Sequence, residues 1–521
     1  MLPLLTARQM QLCDQYTIQE LHIPSRTLME RAARSAIDVM KTELALLPTT
    51  RIIALCGSGN NGGDGFAMAR FLFDEGYDVT VCYGGSWSDA KPDTTRMSDE
   101  CAVQYDLWQL GGGKTLDTLP QIKPNPIVND ALFGIGLDRP IVGRMAEWIE
   151  AVNAAARQGE LSVLSVDIPS GIEADTGCVL GTAIRADVTA TMACPKTGLL
   201  LYPGAAHAGR VKVCDIGITT QALANTVHTW LVAPPDLAPI LDRPAYANKG
   251  TFGRVLVVGG AVCMSGAAYF SAKAAYRTGA GLVRILTHRD NRIIYQTQLP
   301  EAVLSVYGDD VERDKAEILD AVAWADVIVV GVGLGQSEQA KRLLRLVLSA
   351  ADVPLVIDAD ALNLLAADGE LWGLITAPAI VTPHPLEMAR LCHVDVSTVE
   401  RDRLTAAVNF SEKYALICVL KGHATVVSDG TEARGLGDKH TLYLNRSGNS
   451  GMATGGSGDV LTGILAALIA QGMKPFDAAT LGVYIHGLAG DAAAEALGEY
   501  SLMAGDIIDH ISEIMKDCHE D

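Results

Sequence analysis

A glycine-rich run at residues 451–463 carries the clearest chemical signature in this chain. It contains Gly-Gly-Ser-Gly-Asp at residues 455–459 and leads into an apolar segment, residues 460–470, that is predicted to be a helix. Backbone N–H groups of such a loop bind anions, and the helix dipole adds to the attraction. A carboxylate beside a phosphate can accept a proton from a reacting hydroxyl, so Asp459 is a candidate general base. The residue types leave open a glycine turn in which Asp459 caps a buried helix.

Three aspartates in the N-terminal part follow predicted β-strands: Asp64, Asp130 and Asp167. The carboxyl ends of parallel strands converge on one crevice, so these side chains are expected to lie close together. Three carboxylates share a crevice at low cost only with a cation or a proton. Asn61, Asp130 and Ser170 offer the hard oxygen ligands that alkali and alkaline-earth ions prefer. The alternative is that each residue belongs to a turn or a helix cap.

Residues 57–62 match the Gly-x-Gly-x-x-Gly fingerprint of dinucleotide-binding loops, between a predicted strand at 51–56 and a predicted helix at 66–74. A dinucleotide fold of this kind would place an acidic residue at the end of the next strand to hold a ribose. Here that strand ends in Tyr83, Gly84 and Gly85. The fingerprint alone is therefore weak support for dinucleotide binding.

Predicted strands alternate with predicted helices on both sides of a proline-rich passage near residues 233–244. The strands are residues 51–56, 79–83, 127–130, 161–166, 186–193, 211–216, 254–258, 282–286, 327–330, 355–357, 380–382 and 416–420, and residues 7–47 are predicted to be helical. This alternation indicates α/β units with mostly parallel sheets and helices on both faces. We predict domains at residues 1–222 and 249–521, joined by a linker at residues 223–248.

The composition is that of a soluble globular protein and favours a location in the cytoplasm. The 521 residues carry a formal net charge of -20, which is unsuited to general binding of nucleic acid or anionic membranes. Eleven cysteines without a C-x-x-C pair argue against a zinc site and a disulfide framework, and favour a reducing compartment. The N-terminus does not resemble a secretory signal, and the longest apolar runs are too short to span a bilayer.

The N-terminal motifs resemble those of the NAD(P)H-hydrate epimerase domain, a Rossmann-like three-layer α/β/α sandwich. The motifs are Asn-Asn-Gly-Gly-Asp-Gly at 60–65, Asp-Ala-Leu-Phe-Gly-Ile-Gly at 130–136 and Asp-Ile-Pro-Ser-Gly at 167–171. The resemblance implies that the hydrated dinucleotide is held by Asn60, Asn61, Gly62, Gly63, Asp64, Gly134, Ile135, Gly136, Leu137, Asp138, Arg139, Pro140 and Asp167. It also implies that Asn61, Asp130 and Ser170 bind potassium. Asp167 would contact the reacting ring and is the hypothetical catalytic residue.

The C-terminal motifs resemble the ribokinase-like superfamily and, within it, the ADP/ATP-dependent NAD(P)H-hydrate dehydratases. They are Thr-Pro-His-Pro-Leu-Glu at 382–387, Lys-Gly-His-Ala-Thr at 421–425 and the run at 451–463. The resemblance implies nucleotide binding by Lys421, Gly422, His423, Ala424, Thr425 and Gly458, and contact with the hydrated substrate by Ala267, Gly335, His384 and Asp459. Asp459 would be the catalytic base, acting with ADP and Mg²⁺.

Structural roles remain open for several of these residues. His384 could be a buried turn histidine, and Lys421 could be a surface lysine whose stem covers apolar surface. Asp358 and Asp360 could bind Mg²⁺ as a pair, but we interpret them as caps of the helix that follows.

The two resemblances together predict a repair enzyme for the hydrated dinucleotides NADHX and NADPHX. An epimerase would interconvert their two stereoisomers, and a dehydratase would consume one of them. The alternatives are a ribokinase-like small-molecule kinase and an N-terminal domain that binds dinucleotide without catalysis. The resemblance favours ADP over ATP and a homo-oligomer, with no nucleic-acid or membrane partner.

Overall fold

The computed structural model describes residues 3–122, 125–226, 229–231, 246–430 and 440–517. The chain divides into two compact units, Met1–Leu231 and Val232–Asp521. Most of the predicted linker at 223–248 lies outside the described residues, so the domain limits at 222 and 249 stay predictions.

The first unit is built around a seven-stranded parallel sheet in the order β5-β2-β1-β6-β7-β8-β9. The strands of this sheet are β1 (Arg51–Cys56), β2 (Asp78–Tyr83), β5 (Thr115–Leu116), β6 (Ile127–Ala131), β7 (Ser162–Val166), β8 (Val188–Met192) and β9 (Arg210–Cys214). Outside this sheet, β3 (Trp87–Ser88) and β4 (Lys91–Pro92) form a hairpin, and the short strand β10 (Thr229–Leu231) ends the unit. Its helices are α1 (Ala7–Gln19), α2 (Ser25–Glu43), α3 (Asn60–Asp74), α4 (Asp99–Leu110), α5 (Arg144–Arg157), α6 (Ala205–Ala208) and α7 (Thr220–Thr226).

Alternate residues of the central strands pack into different cores. Ile52 and Ala54 join a cluster with helices α2, α3 and α4. Ile53 and Leu55 join a second cluster with Trp148 and other residues of α5. Because successive strand residues point to opposite faces, the sheet is covered on both sides. The three-layer α/β/α sandwich predicted for this part is confirmed.

The segment at residues 7–47, predicted to be helical, forms two helices, α1 and α2, with a break at residues 20–24. His22 has a φ of 54° and Pro24 is the N-cap residue of α2. Proline disfavours helical backbone in the residue before it and lacks the N–H that would continue the helix. The amphipathic spacing therefore belongs to two helices in succession.

The second unit has one sheet whose strands follow the order β19-β18-β17-β16-β15-β14-β11-β12-β13, parallel from β13 to β17 and antiparallel at β18 and β19. The strands are β11 (Arg254–Val258), β12 (Leu282–His288), β13 (Val303–Tyr307), β14 (Val327–Val330), β15 (Leu355–Ile357), β16 (Ala379–Val381), β17 (Ile417–Leu420), β18 (Val426–Asp429) and β19 (His440–Leu444). The helices are α8 (Ser265–Arg277), α9 (Arg292–Gln298), α10 (Lys315–Trp324), α11 (Glu338–Ala350), α12 (Asp360–Ala367), α13 (Pro385–Cys392), α14 (Val396–Arg401), α15 (Arg403–Tyr414), α16 (Ser457–Ala470), α17 (Pro475–Leu497) and α18 (Ala504–Asp517).

Helix α16 lies at the centre of the larger core of this unit. Eleven of its residues are buried, and it packs with α8, α17 and α18 against Val255, Val257 and other inward residues of the sheet. A helix that is apolar all round is stable only when it is enclosed in this way. No helix among the described residues is long and apolar enough to span a membrane.

In both sheets the order in which the chain adds strands reverses at a switch point. This point lies between β1 and β6 in the first unit and between β11 and β14 in the second. Loops at the carboxyl ends of the strands diverge there and leave a crevice, which is where open α/β sheets bind ligands. The predicted site residues follow strands that end at these crevices.

Candidate active sites

The first unit contains a cavity of about 510 Å³ at its switch point. Of the residues predicted to hold the dinucleotide, Asn60, Asn61, Asp64, Gly134, Ile135, Gly136, Leu137, Asp138, Arg139 and Asp167 line this cavity. Gly62, Gly63 and Pro140 are not among its lining residues. One cavity is therefore lined by residues that follow β1, β6 and β7.

Helix α3 begins at Asn60, six residues earlier than predicted, so the expected loop at residues 60–65 is the first part of a helix. Glycine makes this possible: a Cβ on Gly62 would lie 1.9 Å from the carbonyl oxygen of Gly57. Gly62 and Gly63 pack beneath the cavity and let the start of the helix approach the strand. Asp64 lies in the second turn of α3 and points into the cavity.

Asp167 forms a buried ion pair with Lys196 in the cavity wall. The Asp167 atom Oδ1 accepts hydrogen bonds from Nζ of Lys196, from the backbone N of Met192 at 3.0 Å and from Oγ1 of Thr191 at 3.4 Å. Charged and backbone donors together fix the position of this carboxyl group. The backbone of Asp167 has a φ of 66°, a left-handed conformation found at strained, functional positions.

Two further carboxyl groups, those of Asp64 and Asp14, interact with Asp167 and Lys196. Burial raises the pKa of Asp64 well above its usual range, and the nearby Asp167 and Asp14 raise it further. Burial likewise raises the pKa of Asp14 to about 6, with Lys196 opposing the shift. The crevice therefore holds Asp167, which is paired with Lys196, and two further carboxyl groups whose pKa values are raised.

Asp130 lies beside the cavity and is fully buried. It accepts hydrogen bonds from the hydroxyls of Ser165 (2.8 Å) and Ser170 (2.5 Å) and from the backbone N of Ser170 (2.9 Å). Burial raises its pKa, which these bonds partly offset. The neighbouring Asn61 side chain contacts Gly134 and has a buried Nδ2 without a hydrogen-bond partner. The structure thus brings Asp130 and Ser170 into contact, with Asn61 at the adjacent cavity wall.

The second unit has its own lysine and aspartate pair at the ends of parallel strands. Nζ of Lys421, which follows β17, lies 2.7 Å from Oδ1 of Asp358, which follows β15, and 3.9 Å from Oε2 of Glu387. Burial opposes the charge on Lys421, but the two carboxylates outweigh it and its pKa is raised. Lys421 is therefore a partly buried cation paired with carboxyl groups of the site and not a free surface lysine.

Asp459 lies in the first turn of α16, close to these charges. Burial raises its pKa to about 7, Asp358 contributes in the same direction and Lys421 opposes. A Cβ on Gly458 would lie 3.3 Å from Nζ of Lys421, so glycine lets the ion pair approach the start of the helix. The first N–H groups of a helix have no acceptor within it, which makes this a place for an anion. A carboxyl group with a raised pKa and a helix start that can attract an anion thus lie together.

His384 caps helix α13 and its side chain is 46% exposed, so it is not the buried turn histidine that the sequence left open. Its Nδ1 accepts from the backbone N of Leu386 (3.2 Å) and of Glu387 (3.3 Å), and Glu387 in turn accepts from the backbone N of His384. Burial lowers the pKa of His384, so the ring is neutral and its Nε2 can donate to a ligand. Burial raises the pKa of Glu387 to about 7.

The interpretation of Asp358 and Asp360 as helix caps is wrong. The N-cap residue of α12 is Ala359, and no side chain caps that helix. Asp358 pairs with Lys421 instead, while Asp360 accepts from the backbone N of Gly335 at 2.8 Å. Within the described ranges, no group of three or more His, Cys, Asp or Glu side chains could hold a metal ion by itself.

The segment at residues 421–425 is held from below by a buried arginine. Arg403 is 6% exposed and donates to the carbonyl oxygens of Leu420 and Lys421, each at 3.1 Å. Oγ1 of Thr425 donates to the carbonyl oxygen of Gly422 at 3.0 Å and closes the loop. His423 is exposed at the loop tip, Ala424 is buried, and burial lowers the pKa of His423. Ala267 lies in α8, 3.0 Å from where a Cβ on Gly333 would be.

Comparison with known proteins assigns the whole chain. Residues 255–513 match the family model described as NAD(P)H-hydrate dehydratase, and residues 25–198 match that of the YjeF-related protein N-terminus. The bifunctional NAD(P)H-hydrate repair enzyme Nnr of Moorella thermoacetica is 37% identical over 99% of this chain and 97% of its own length. The chain belongs to the bifunctional NAD(P)H-hydrate repair enzyme family.

Other members of this repair-enzyme family are similar over almost their full length. The enzyme of Coxiella burnetii is 37% identical over 94% of this chain and 95% of its own. The enzyme of Escherichia coli is 33% identical over 94% of this chain and 89% of its own length. Among solved structures, the ADP/ATP-dependent NAD(P)H-hydrate dehydratase of Bacillus subtilis is 29% identical over 53% of this chain and 94% of its own, with a TM-score of 0.45.

The structure places charged residues at each candidate site that the sequence analysis did not single out. Asp14 and Lys196 line the first cavity, and Glu387 and Arg403 support the second. A usable signal existed for Lys196, which follows the buried strand β8 as Asp167 follows β7. Asp14 lies on α1, outside the alternating strand and helix pattern, so the strand-end rule could not find it.

Proposed function

We propose that this chain repairs hydrated nicotinamide dinucleotides at two sites. The first unit epimerises the R and S forms of NADHX and NADPHX. The second dehydrates the S form to NADH or NADPH at the expense of ADP, which becomes AMP and phosphate. One observation carries the proposal: Asp459, with a pKa of about 7, lies in the first turn of α16 against the Lys421–Asp358 pair. That arrangement suits proton removal from a hydroxyl beside a phosphoryl group.

In the epimerase reaction the damaged ring carries a hydroxyl on a carbon bonded to nitrogen. Loss of water gives an iminium ion, and return of water to the other face gives the other epimer. Asp167, held in place by its ion pair with Lys196, lies in the cavity wall and would stabilise that cation. The lining residues 134–139 and Asn60 would hold the rest of the dinucleotide.

Potassium fits the residues around Asp130. This carboxylate is fully buried and its hydrogen bonds come from neutral donors, so a monovalent cation would offset the cost of its charge. Asn61, Asp130 and Ser170 would hold the ion, which supplies fixed positive charge near the loop that binds substrate. Replacing K⁺ with a large organic cation should reduce epimerisation and leave the dehydratase unchanged; equal rates in both salts would contradict this role.

In the dehydratase reaction Asp459 removes the proton from the ring hydroxyl, whose oxygen takes the terminal phosphoryl group of the nucleotide. Lys421 and the N–H groups at the start of α16 hold the phosphate charge, and His384 would donate from Nε2 to the substrate. The ring nitrogen then expels phosphate to give an iminium ion, and loss of a proton from the adjacent ring carbon forms the C=C bond of the dihydronicotinamide. Mg²⁺, which neutralises the developing charge when bound, would be held mainly by the nucleotide's phosphates with one carboxylate of the site.

The direct test supplies both epimers of NADHX with ADP and Mg²⁺ and follows the return of dihydronicotinamide absorbance. Complete consumption of both epimers with release of free phosphate supports both activities. If consumption stops when about half of the NADHX has been used, only the dehydratase is active. Accumulation of a phosphorylated small molecule without recovery of the reduced dinucleotide would favour the alternative, a small-molecule kinase joined to a binding module.

The proposal extends to the donor, the assembly and the compartment. We expect ADP to support faster turnover than ATP, which side-by-side assays would show. We also expect a homo-oligomer in the cytoplasm, and light scattering on the purified chain would measure its mass.

A further inference from the structure

Helix α1 brings a carboxyl group into the epimerase cavity from outside the sheet. The backbone N of Leu5, just before α1, donates to the carbonyl oxygen of Pro195 at 3.0 Å, and that of Thr197 donates back to Leu5 at 3.2 Å. These bonds join the start of α1 to the segment that contains Lys196. Asp14 and Lys196 therefore reach the cavity from two segments that are hydrogen-bonded to each other.

Packing fixes the orientation of α1 as well. Met10 and Cys13, on the inner side of the helix, are buried in one small core with Leu5 and Cys194. Thr6 caps the helix through a capping box with Gln9. A side chain on a helix that is capped and packed at both of these points has a defined position in the cavity wall.

Lys196 does not neutralise Asp14, although the two interact. A lysine ammonium has three donors. Those of Lys196 go to Asp167, to Oγ1 of Thr191 at 3.2 Å and to the carbonyl oxygen of Met192 at 2.9 Å. The Asp14 carboxyl is left in a buried crevice with the negative charge of Asp167 nearby, and these two effects raise its pKa to about 6 despite Lys196. Asp14 can therefore exchange a proton near neutral pH.

We propose that Asp14 is the catalytic residue that moves the proton at the reacting ring carbon, while Asp167, held by Lys196, supplies the fixed negative charge. This inference rests on the proposed epimerase function of the first unit. Two carboxyl groups in one site with different proton affinities commonly divide into an acid and an ionised partner in this way.

The step conserves atoms and charge. Asp14 gives its proton to the ring hydroxyl, the C–O bond breaks and water leaves, while the lone pair of the ring nitrogen forms the C=N bond of the iminium ion. Water then adds to the same carbon from the other face, its electron pair forms the new C–O bond, and its proton returns to Asp14. Asp14 ends protonated, as it began.

The test measures epimerisation of a single purified epimer of NADHX by the full chain without ADP, so that the dehydratase is idle. Asp14→Asn is expected to lower the turnover rate by about 10²- to 10³-fold with little change in KM. Asp14→Glu should restore part of the rate. Glu20→Gln, at the exposed end of the same helix, is the matched control and should leave the rate unchanged.

The pH profile separates a catalytic role from a structural one. Three charged or titratable groups face Asp14: Asp64 on α3, Asp167 and Lys196. Helix α7, which packs on α1, contains no charged residue. For the wild type, kcat/KM should fall as pH rises above about 6, because the protonated form is needed. Asp14→Asn should remove this fall, and Asp64→Asn should keep it.

Each result has a defined meaning. Near-normal epimerisation by Asp14→Asn, or an unchanged fall with pH in that variant, would overturn the role of Asp14. Loss of the pH-dependent fall in Asp64→Asn instead would assign the proton to Asp64. Failure of the wild type to epimerise NADHX would overturn the proposed function of the first unit, which is a separate outcome.

Discussion

The two crevices share one charge arrangement and differ in where a further carboxyl group comes from. Each has a lysine paired with an aspartate at the end of a parallel strand: the fully buried Lys196 with Asp167, and the partly buried Lys421 with Asp358. In the second unit the additional carboxyl group, Asp459, lies in the first turn of a helix. In the first unit it is Asp14, which comes from helix α1 at the N-terminus of the chain.

This difference relates position to chemistry. A carboxylate in the first turn of a helix lies where N–H groups also attract a phosphate, so its ionised form can remove a proton during phosphoryl transfer. A carboxyl group on α1 is buried beside Asp167, and both effects raise its pKa, to about 6. In the proposed mechanisms the two units thus use similar carboxyl groups in opposite roles, Asp459 as a base and Asp14 as an acid.

The largest expected effect is on the dehydratase. Asp459→Asn keeps the shape of the side chain but removes the base, so turnover of S-NADHX with ADP should fall by about 10³-fold. Recovery of dihydronicotinamide absorbance measures this loss. Epimerisation by the same variant should be normal, and loss of both activities would point to a folding defect or a wrong assignment.

The next effect tests the fixed pair of the first unit. Asp167→Asn should lower epimerisation by about 10²-fold. Because it leaves the fully buried Lys196 without its partner, it should also lower the free energy of unfolding by about 3–5 kcal/mol. Chemical denaturation measures the second effect. The double variant Asp167→Leu/Lys196→Met should recover stability but not activity; full epimerisation by either variant would remove Asp167 from the mechanism.

The pH dependences of the two activities should have opposite signs. The dehydratase needs ionised Asp459, so its kcat/KM should rise about tenfold per pH unit below about 7 and level off above it. The epimerase should instead lose activity above about 6. Assays of both activities across pH 5–9 on one preparation measure this contrast, and parallel profiles would contradict it.

The smallest expected effect is on stability. In the folded state the pKa of Asp14 is raised from 3.8 to about 6, so its ionisation opposes folding. This cost is absent at pH values below 3.8, grows as pH rises to about 6 and then stays constant at about 2–3 kcal/mol. Asp14→Asn should therefore be more stable than the wild type at pH 8 and equal to it near pH 3. Equal stability at both pH values would contradict the raised pKa.

Sequence patterns predicted the layers well but misplaced some boundaries. The strands at 254–258, 327–330 and 355–357 were predicted residue for residue. The segment at 60–65 was predicted as a loop because three of its residues are glycines, which destabilise helices by themselves. Close packing against Gly57 and Met29 favours the helix there and outweighs that preference.

The sequence by itself determined the fold class, the two crevices at strand ends and the motif residues around them, because strand periodicity and glycine-rich turns are local properties. Only the tertiary structure decided which charges meet. Lys196 and its partner Asp167 are 29 residues apart in the sequence, and Lys421 and Asp358 are 63 residues apart. Asp14 lines the cavity from a helix that is not part of the sheet. The pKa of each carboxyl group depends on those distant partners and on burial, which local patterns do not encode.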